Sequence, residues 1–359
     1  GTRTLQDQLF HRDLPTVSKA LGRPVRVALL KGRANYLCRH RLDLAEGMPS
    51  LPGMEPPDGR MIARIRRWSR STTTGDLSEV KSLRDTDPSW AAVTSTRENC
   101  LGNECPEFAR CHVVAARREA QAADIVVVNH HLLLADLALK DEGFGELLPG
   151  TEAVILDEAH QVPEIAAQVF GRSLTARQVS AFARDAFAEL GRVGLAQTGA
   201  RERLAAIDAS INGALAAVAG LGERIEWEAL PEGFVAALEQ LRESLASIGP
   251  DFAAADADDA GLRQCTRRAA KLVETLQALL EAGVDSGLRW VEVSGRGFTV
   301  SFTPFEVATR LGELRRYWVF VTSATDGSSR SSARRASPSS RWASASMSPY
   351  LWCSTVSSK

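Results

Sequence analysis

Short apolar runs recur along the chain, and several of them end abruptly in polar residues. They cover residues 25–30, 125–128, 153–156 and 317–321. Continuous apolar runs of this length are typical of parallel strands that are buried on both faces. Because polar groups that follow such strands meet at one edge of the sheet, the pattern predicts an α/β fold with a binding site at that edge.

The middle of the chain changes to a helical pattern. Residues 170–285 are rich in Ala, Leu, Glu and Arg, and the stretches 234–241 and 272–280 are amphipathic. After them, residues 288–302 contain two β-type runs around a Gly-Arg-Gly turn and predict a hairpin. Thirteen of the last 34 residues are serine, which predicts that 326–359 form a disordered tail or result from a reading-frame shift.

Composition narrows the class of protein. The chain has 359 residues, of which 44% are hydrophobic and 24% charged, as is ordinary for a globular protein of two or three domains. Its net charge of -1 means that any nucleic acid must be bound by local basic patches. We find no apolar run that could span a membrane and no signal peptide, so we expect a cytoplasmic protein with no membrane partner.

Six cysteines in a chain of this length do not make a disulfide scaffold, and their uneven spacing suggests ligands in a reducing compartment. Four of them bracket one loop-rich insertion: Cys38, Cys100, Cys105 and Cys111. Structural zinc usually takes closer pairs than the gaps of four and five residues between the last three. An iron–sulfur cluster needs four thiolates and tolerates uneven spacing. The spacing alone therefore leaves zinc and a cluster both open.

The apolar run at 153–156 is followed by two carboxylates, Asp157 and Glu158, and then by His160. Asp157 could hold the Mg²⁺ that bridges the phosphates of ATP, and Glu158 could orient and deprotonate the attacking water. His160 is close enough in sequence to couple this site to a neighbouring motif. The alternative is a strand followed by an ordinary helix start, where acidic residues favour the positive end of the dipole.

The Asp-Glu-Ala-His string at 157–160 resembles the Walker B motif of DEAH-box nucleic-acid helicases. The wider order is also specific: a strand, an insertion with one early and three late cysteines, Asn-His-His at 129–131, and then this string. It resembles the iron–sulfur superfamily 2 DNA helicases of the DinG/YoaA (xeroderma pigmentosum group D-like) family, over residues 1–325. The resemblance favours a [4Fe-4S] cluster over zinc on the four cysteines.

The same resemblance implies a RecA-like parallel-sheet motor domain that is interrupted by two insertions. The implied parts are the first part of motor domain 1 (1–30), an iron–sulfur cluster domain (31–122), the DEAH-box part of the motor domain (123–169), a helical arch domain (170–286), the last part of the motor domain (287–325) and the tail (326–359). The implied activity is that of an ATP-dependent, 5′-to-3′ DNA helicase in repair or replication stress. Single-stranded or forked DNA is the expected partner.

Two further sites take their roles from the resemblance. Ser323 and Thr325 lie in a string that resembles motif III, which would couple the DEAH site to DNA. Residues 1–9 resemble motif Ia, and the side chains placed near DNA by this resemblance are Thr2, Arg3, Thr4 and Gln8.

A basic, aromatic-containing run offers a further DNA contact. It includes Arg64, Arg66 and Arg67 next to Trp68. Arginines beside a stacking aromatic residue suit a channel for single-stranded DNA. The same residues fit a solvated helix face equally well, and the sequence leaves both interpretations open.

The sequence contains no G-x-x-x-x-G-K-[ST] phosphate loop. In the resembling family this loop would precede Gly1, and a second motor domain would follow Thr325. We therefore expect a partial sequence of a longer helicase that is inactive by itself. The alternative is a non-catalytic iron–sulfur protein that grips single-stranded DNA.

Overall fold

The structure is a computed structural model that describes residues 3–22, 24–46, 57–141, 148, 153–195, 199–248, 252, 259–283, 285–295, 297–305, 318–320 and 350–353. The chain divides into two compact units. Unit 1 comprises Gly1–Gly32, Val113–Phe170 and Glu306–Lys359, and unit 2 comprises Arg33–His112 and Gly171–Phe305. Residues of the predicted cluster domain and of the predicted arch domain thus share unit 2.

The helices and strands are numbered separately along the chain. The α-helices are α1 (Arg3–Gln8), α2 (Leu14–Leu21), α3 (Arg39–Glu46), α4 (Gly59–Trp68), α5 (Pro88–Val93), α6 (His112–Gln121), α7 (His130–Asp141), α8 (Val162–Phe170), α9 (Ala176–Arg192), α10 (Ala200–Ala217), α11 (Glu232–Ser247) and α12 (Ala260–Glu281). The strands are β1 (Val27–Leu29), β2 (Ile125–Val128), β3 (Ala153–Leu156), β4 (Arg172–Thr175), β5 (Arg224–Glu226), β6 (Gly287–Ser294), β7 (Gly297–Pro304), β8 (Trp318–Phe320) and β9 (Tyr350–Cys353).

A parallel sheet organises unit 1. Its strands are ordered β1-β2-β9-β3-β8, and each neighbouring pair is parallel. Val126, Val128 and Leu156 are buried in one core with side chains of α7 and α8. Coverage by helices explains why these strands are continuous apolar runs. The prediction of an α/β fold with a parallel sheet is confirmed.

One strand of this sheet is not predicted by the sequence. Residues Tyr350–Cys353 form β9 between β2 and β3. They are an apolar, aromatic run inside a serine-rich stretch, and such residues favour β-structure where neighbouring strands offer hydrogen bonds. Residues 326–349 and 354–359 lie outside the described residues, so the expected disorder or frame shift stays a prediction there.

Unit 2 combines helices with an antiparallel sheet ordered β4-β7-β6-β5. The predicted hairpin is confirmed as β6 and β7, which turn between Ser294 and Gly297. It pairs with strands of unit 2, whereas the sequence assigned 287–325 to the motor domain. The predicted amphipathic stretches lie in α11 and α12, whose buried faces meet in one core with α9 and α10. Helix α9 begins at an N-cap, where the Thr175 hydroxyl accepts from the Gln178 N–H at 2.9 Å.

Candidate functional site

The two carboxylates of the DEAH string follow an interior strand. Strand β3 pairs with β9 on one side and β8 on the other, and it ends at Leu156. Asp157 and Glu158 therefore leave the sheet at its carboxyl edge, where open α/β folds bind their ligands. Both residues are partly buried, while His160 is exposed.

Glu158 has an unusual backbone. Its φ and ψ are 51° and 44°, and it is the one non-glycine residue with positive φ among the described ranges. For an L-residue this left-handed conformation costs about 1–2 kcal/mol. The turn is held locally, because Asp157 Oδ1 accepts from the Glu158 N–H at 3.0 Å and His160 Nδ1 lies 3.2 Å from Glu158 Oε2. Strain of this kind at the end of a sheet strand is typical of a functional site.

Burial also shifts the pKa values of titratable side chains at this edge of the sheet. Desolvation raises the pKa of Asp157, although the Glu158 N–H opposes the shift. His130 is fully buried, and desolvation together with the neighbouring His131 and His160 lowers its pKa to about 4. A hydrogen bond with the Asp157 backbone opposes that shift. His130 is therefore uncharged at neutral pH, and its ring forms a hydrogen bond with the backbone of Asp157 at the end of β3.

The adjacent histidines begin a helix. His130 and His131 are the first residues of α7, and Asn129 caps it by accepting from the Leu132 N–H at 2.8 Å. Desolvation lowers the pKa of His131 as well. Within the described ranges, no group of three or more His, Cys, Asp or Glu side chains is arranged to hold a metal ion. Both histidines thus lie in the first turn of α7.

The four predicted ligand cysteines lie in unit 2, and all are free, half-buried thiols: Cys38, Cys100, Cys105 and Cys111. Burial raises the pKa of Cys38 to about 11, and the thiolates of Cys100 and Cys105 add to the shift. Burial also raises the pKa of Cys105, with Cys100 and Cys111 adding to it. The four sulfurs are thus close enough to affect one another's pKa values, although the side chains are not arranged in the geometry of a metal site.

Local backbone groups face two of these sulfurs. Cys38 directly precedes α3, and hydrogen bonding from the Arg41 backbone opposes the rise of its pKa. The Glu107 backbone does the same for Cys105. Backbone N–H groups and helix N-termini stabilise thiolates, which are the form that binds metals. The donor set is therefore chemically suited to a thiolate-bound metal group.

The predicted DNA-binding arginines lie on α4 and differ in their surroundings. Arg66 binds Glu46 through Nε at 2.6 Å and Asp43 through Nη2 at 2.5 Å. Those contacts raise the pKa of Arg66, with the hydrogen bond to Glu46 contributing most. The side chains of Arg64 and Arg67 are exposed and form no hydrogen bond or ion pair with any part of the chain that the structure describes.

The remaining predicted residues are only partly described. Gln8 is exposed at the end of α1, and Arg3 and Thr4 lie in the same helix. Thr2, Ser323 and Thr325 lie outside the described residues. Their expected roles stay predictions.

The sequence did not identify one buried ionic contact in unit 2. Asp185 of α9 lies 2.7 Å from Arg41 Nη1 and 2.5 Å from Arg268 Nη1, measured from its two carboxylate oxygens. Asn99 donates to the same carboxylate at 3.1 Å. Burial favours the neutral acid, but the two arginines outweigh it and lower the pKa of Asp185.

Comparisons with known proteins find similarity to helicases. The family model DEAD_2 matches residues 79–179. The chain is 41% identical to the ATP-dependent DNA helicase YoaA of Escherichia coli over 337 residues, covering 90% of this chain and 52% of that protein. It is 38% identical to YoaA of Haemophilus influenzae over 341 residues, covering 90% and 51%. Identity to the ATP-dependent helicase DinG of Mycobacterium tuberculosis is 33% over 200 residues, covering 51% and 29%.

The chain is similar over most of its length to the YoaA helicases, which confirms the resemblance to the DinG/YoaA helicases seen in the sequence. It spans about half the length of the YoaA proteins that it matches. None of the helices in the described ranges is long and apolar enough to cross a membrane.

Proposed function

We propose that this chain contributes the DEAH-box part of an ATP-dependent DNA helicase. The observation that carries the proposal is the left-handed backbone of Glu158, which holds two carboxylates at the carboxyl edge of the parallel sheet. A strained turn is retained where its geometry serves a function. The names of the YoaA and DinG relatives, ATP-dependent helicases, support the same activity.

Three residues of the DEAH string have distinct tasks in this proposal. Asp157 offers a hard oxygen ligand for Mg²⁺, which stabilises the charge on the phosphates of ATP when bound. A cation there would also relieve the cost of burying the Asp157 carboxylate. Glu158 orients the attacking water and accepts its proton. His160, 3.2 Å from Glu158, relays the state of this site to neighbouring motifs, including Ser323 and Thr325.

The proposed partner is single-stranded or forked DNA, bound by its sugar-phosphate backbone. Arg64 and Arg67 support this role because both are exposed and no carboxylate in the described part of the chain pairs with their side chains. Arg66 contributes less, since Asp43 and Glu46 already bind its guanidinium. Thr2, Arg3, Thr4 and Gln8 would add contacts at the start of the chain. We propose 5′-to-3′ movement and a role in repair or replication stress from the family resemblance alone.

A [4Fe-4S] cluster is the proposed group on the four cysteines. The support is chemical: four free thiols share one electrostatic neighbourhood, and backbone groups favour the thiolates of Cys38 and Cys105. Zinc is the competing ligand. Anaerobically purified protein should contain iron and sulfide, and Cys105→Ser should lose them. Cys265→Ser is the matched control, because Cys265 is a thiol buried in the helical core. Stoichiometric zinc without iron would reject the cluster.

Hydrolysis provides the test of the main proposal. Because the sequence contains no phosphate loop, residues 1–359 alone should hydrolyse no ATP, with or without DNA. In a chain completed with that loop and a second motor domain, Glu158→Gln should slow hydrolysis on the order of a thousandfold, or about 4 kcal/mol of barrier. Glu164→Gln, an exposed control on α8, should leave the rate unchanged.

The competing function is a non-catalytic iron–sulfur protein that binds single-stranded DNA, for which the four free thiols and the exposed Arg64 and Arg67 would suffice. A completed chain that binds single strands but hydrolyses no ATP would select it. Hydrolysis by residues 1–359 alone would instead show that the nucleotide site is differently built.

A further inference from the structure

The residues next to three of the four cysteines are tied to two helices of the same unit. Asp185 of α9 binds Arg41, three residues after Cys38, at 2.7 Å. The same carboxylate accepts from Asn99, one residue before Cys100, at 3.1 Å. One side chain thus joins two cysteine segments that lie far apart in sequence. No cysteine sulfur takes part in these contacts.

Further contacts repeat the pattern. Glu104, one residue before Cys105, lies 3.1 Å from Arg263 Nη2 on α12. His40, two residues after Cys38, lies 3.0 Å from Glu189 on α9. The residues beside the cysteines are therefore held by polar side chains of α9 and α12.

The centre of this arrangement is largely shielded from bulk solvent. The side chains of Asp185 and Arg268 are 7% and 4% exposed, and their oxygen and nitrogen lie 2.5 Å apart. Phe182 covers the Arg268 guanidinium, whose Cζ lies 5.5 Å from the ring centroid. Buried charges of this kind tolerate few alternative positions, because a displaced partner leaves an unpaired charge in a low dielectric. Asp185 therefore fixes where the Arg41 and Asn99 segments sit.

We propose that Asp185 is a positioning residue for the cysteine site and couples the group bound there to helices α9 and α12. The inference rests on the proposed function, in which the four cysteines hold a [4Fe-4S] cluster. Asp185 touches none of the sulfurs, and it acts through Arg41 and Asn99 on the separation of Cys38 and Cys100. Because linkage is reciprocal, a filled cysteine site must in turn stabilise α9 and α12.

The experiment measures how long iron is retained. Anaerobically prepared protein is exposed to an iron chelator, and the loss of visible absorbance gives a half-life. Asp185→Asn should shorten that half-life about tenfold or more, as expected for weakening hydrogen bonds to buried charges. Glu274→Gln is the matched control, since Glu274 pairs with Lys271 on the exposed face of α12. It should keep the wild-type half-life.

A milder variant guards against unfolding. Asn99→Ala removes one donor to Asp185 and leaves both arginines paired, so it should fold and lose iron several-fold faster than wild type. The iron half-life of either variant is interpreted only if its helix content, measured by circular dichroism, stays at the wild-type level. Wild-type retention in the folded Asn99→Ala and Asp185→Asn proteins would overturn the positioning role, even though the cluster itself stands.

A second readout separates this inference from the cluster assignment. Cys105→Ser, which empties the site, should speed amide hydrogen exchange in α9 and α12 but not in α7, which lies in unit 1. Equal exchange in filled and emptied protein would reject the coupling. A wild-type protein that holds zinc, with zinc retention that depends on Asp185, would reject the cluster and keep the positioning role.

Discussion

The left-handed backbone of Glu158 makes a prediction that separates stability from activity. We consider Glu158→Gly, which removes the side chain at the one described non-glycine residue with positive φ. Most replacements by glycine destabilise a folded protein, because glycine loses more conformational freedom on folding. At this position the native conformation is one that glycine adopts without steric cost. The usual penalty should therefore be cancelled.

The magnitude follows from three contributions. Release of the left-handed strain stabilises the folded state by about 1–2 kcal/mol. The greater freedom of glycine in the unfolded chain costs roughly 0.5–1 kcal/mol. The lost contact with His160 contributes little, because the histidine is 57% exposed. The free energy of unfolding should thus be unchanged or should rise by up to about 1.5 kcal/mol.

Glu164→Gly supplies the matched comparison. Glu164 lies in the first turn of α8, where glycine costs about 1 kcal/mol and the lost interaction with the helix dipole adds a few tenths. In urea unfolding at neutral pH, the Glu158 variant should be more stable than the Glu164 variant by about 1–3 kcal/mol. The Glu158 variant should nevertheless abolish ATP hydrolysis in a completed chain. Equal destabilisation by the two changes would refute the strain argument.

Three further changes test other parts of the chain. The pKa of His130 is about 4 in the folded protein, below its ordinary value. The unfolded chain therefore binds a proton at this histidine first as the pH falls. The folded protein is destabilised progressively from about pH 6.5 towards pH 4. His130→Asn should therefore flatten the fall in unfolding free energy between pH 7 and 5 by up to about 1.4 kcal/mol per pH unit. An unchanged slope would show that His130 binds its proton equally in the folded and unfolded states. Gly75→Ala should destabilise unit 2, because φ is +68° and the new Cβ would lie 2.2 Å from His112 Cγ; wild-type thermal stability would contradict that close approach. Replacing Arg64 and Arg67 by Ala should weaken single-strand binding and flatten its salt dependence by up to about 1.4 in logarithmic slope, whereas the carboxylate-bound arginine between them should matter little. An unaltered slope would favour a solvated helix face.

Features encoded within a few consecutive residues could be predicted from the sequence. The strands at 125–128 and 153–156 have the predicted bounds, because a strand covered on both faces must be apolar at every position. The carboxylates after β3 follow from the same pattern, since the strand fixes which sheet edge they reach. The hairpin at 288–302 also needs only its own two runs and turn. Its place in the sheet of unit 2 depends on pairing with distant strands.

Strands that depend on distant partners could not be predicted. Arg172–Thr175 forms β4, although two of its four side chains are exposed and its composition is largely polar. It becomes a strand because β7 offers hydrogen bonds opposite it. The left-handed backbone of Glu158 could not be predicted either. Glycine is the usual sign of a positive φ in a sequence, and this position contains Glu.

The ion pair at Asp185 could have been found from helical periodicity. The buried stripe of α9 runs through Phe182, Ala186 and Leu190, and Asp185 lies on that stripe. Arg268 lies between Cys265 and Leu272 on the buried stripe of α12. A charge on an apolar helix face predicts a partner of opposite charge facing it, since an unpaired buried charge is too costly to retain. Helix α9 buries two such charges, Asp185 and Glu189, and α12 buries Arg268 of opposite sign, so an ion pair between the two helices could be predicted. The third partner, Arg41 beside the first cysteine, lies on a short helix without a clear stripe, so only the folded structure reveals that this pair also holds the cysteine site.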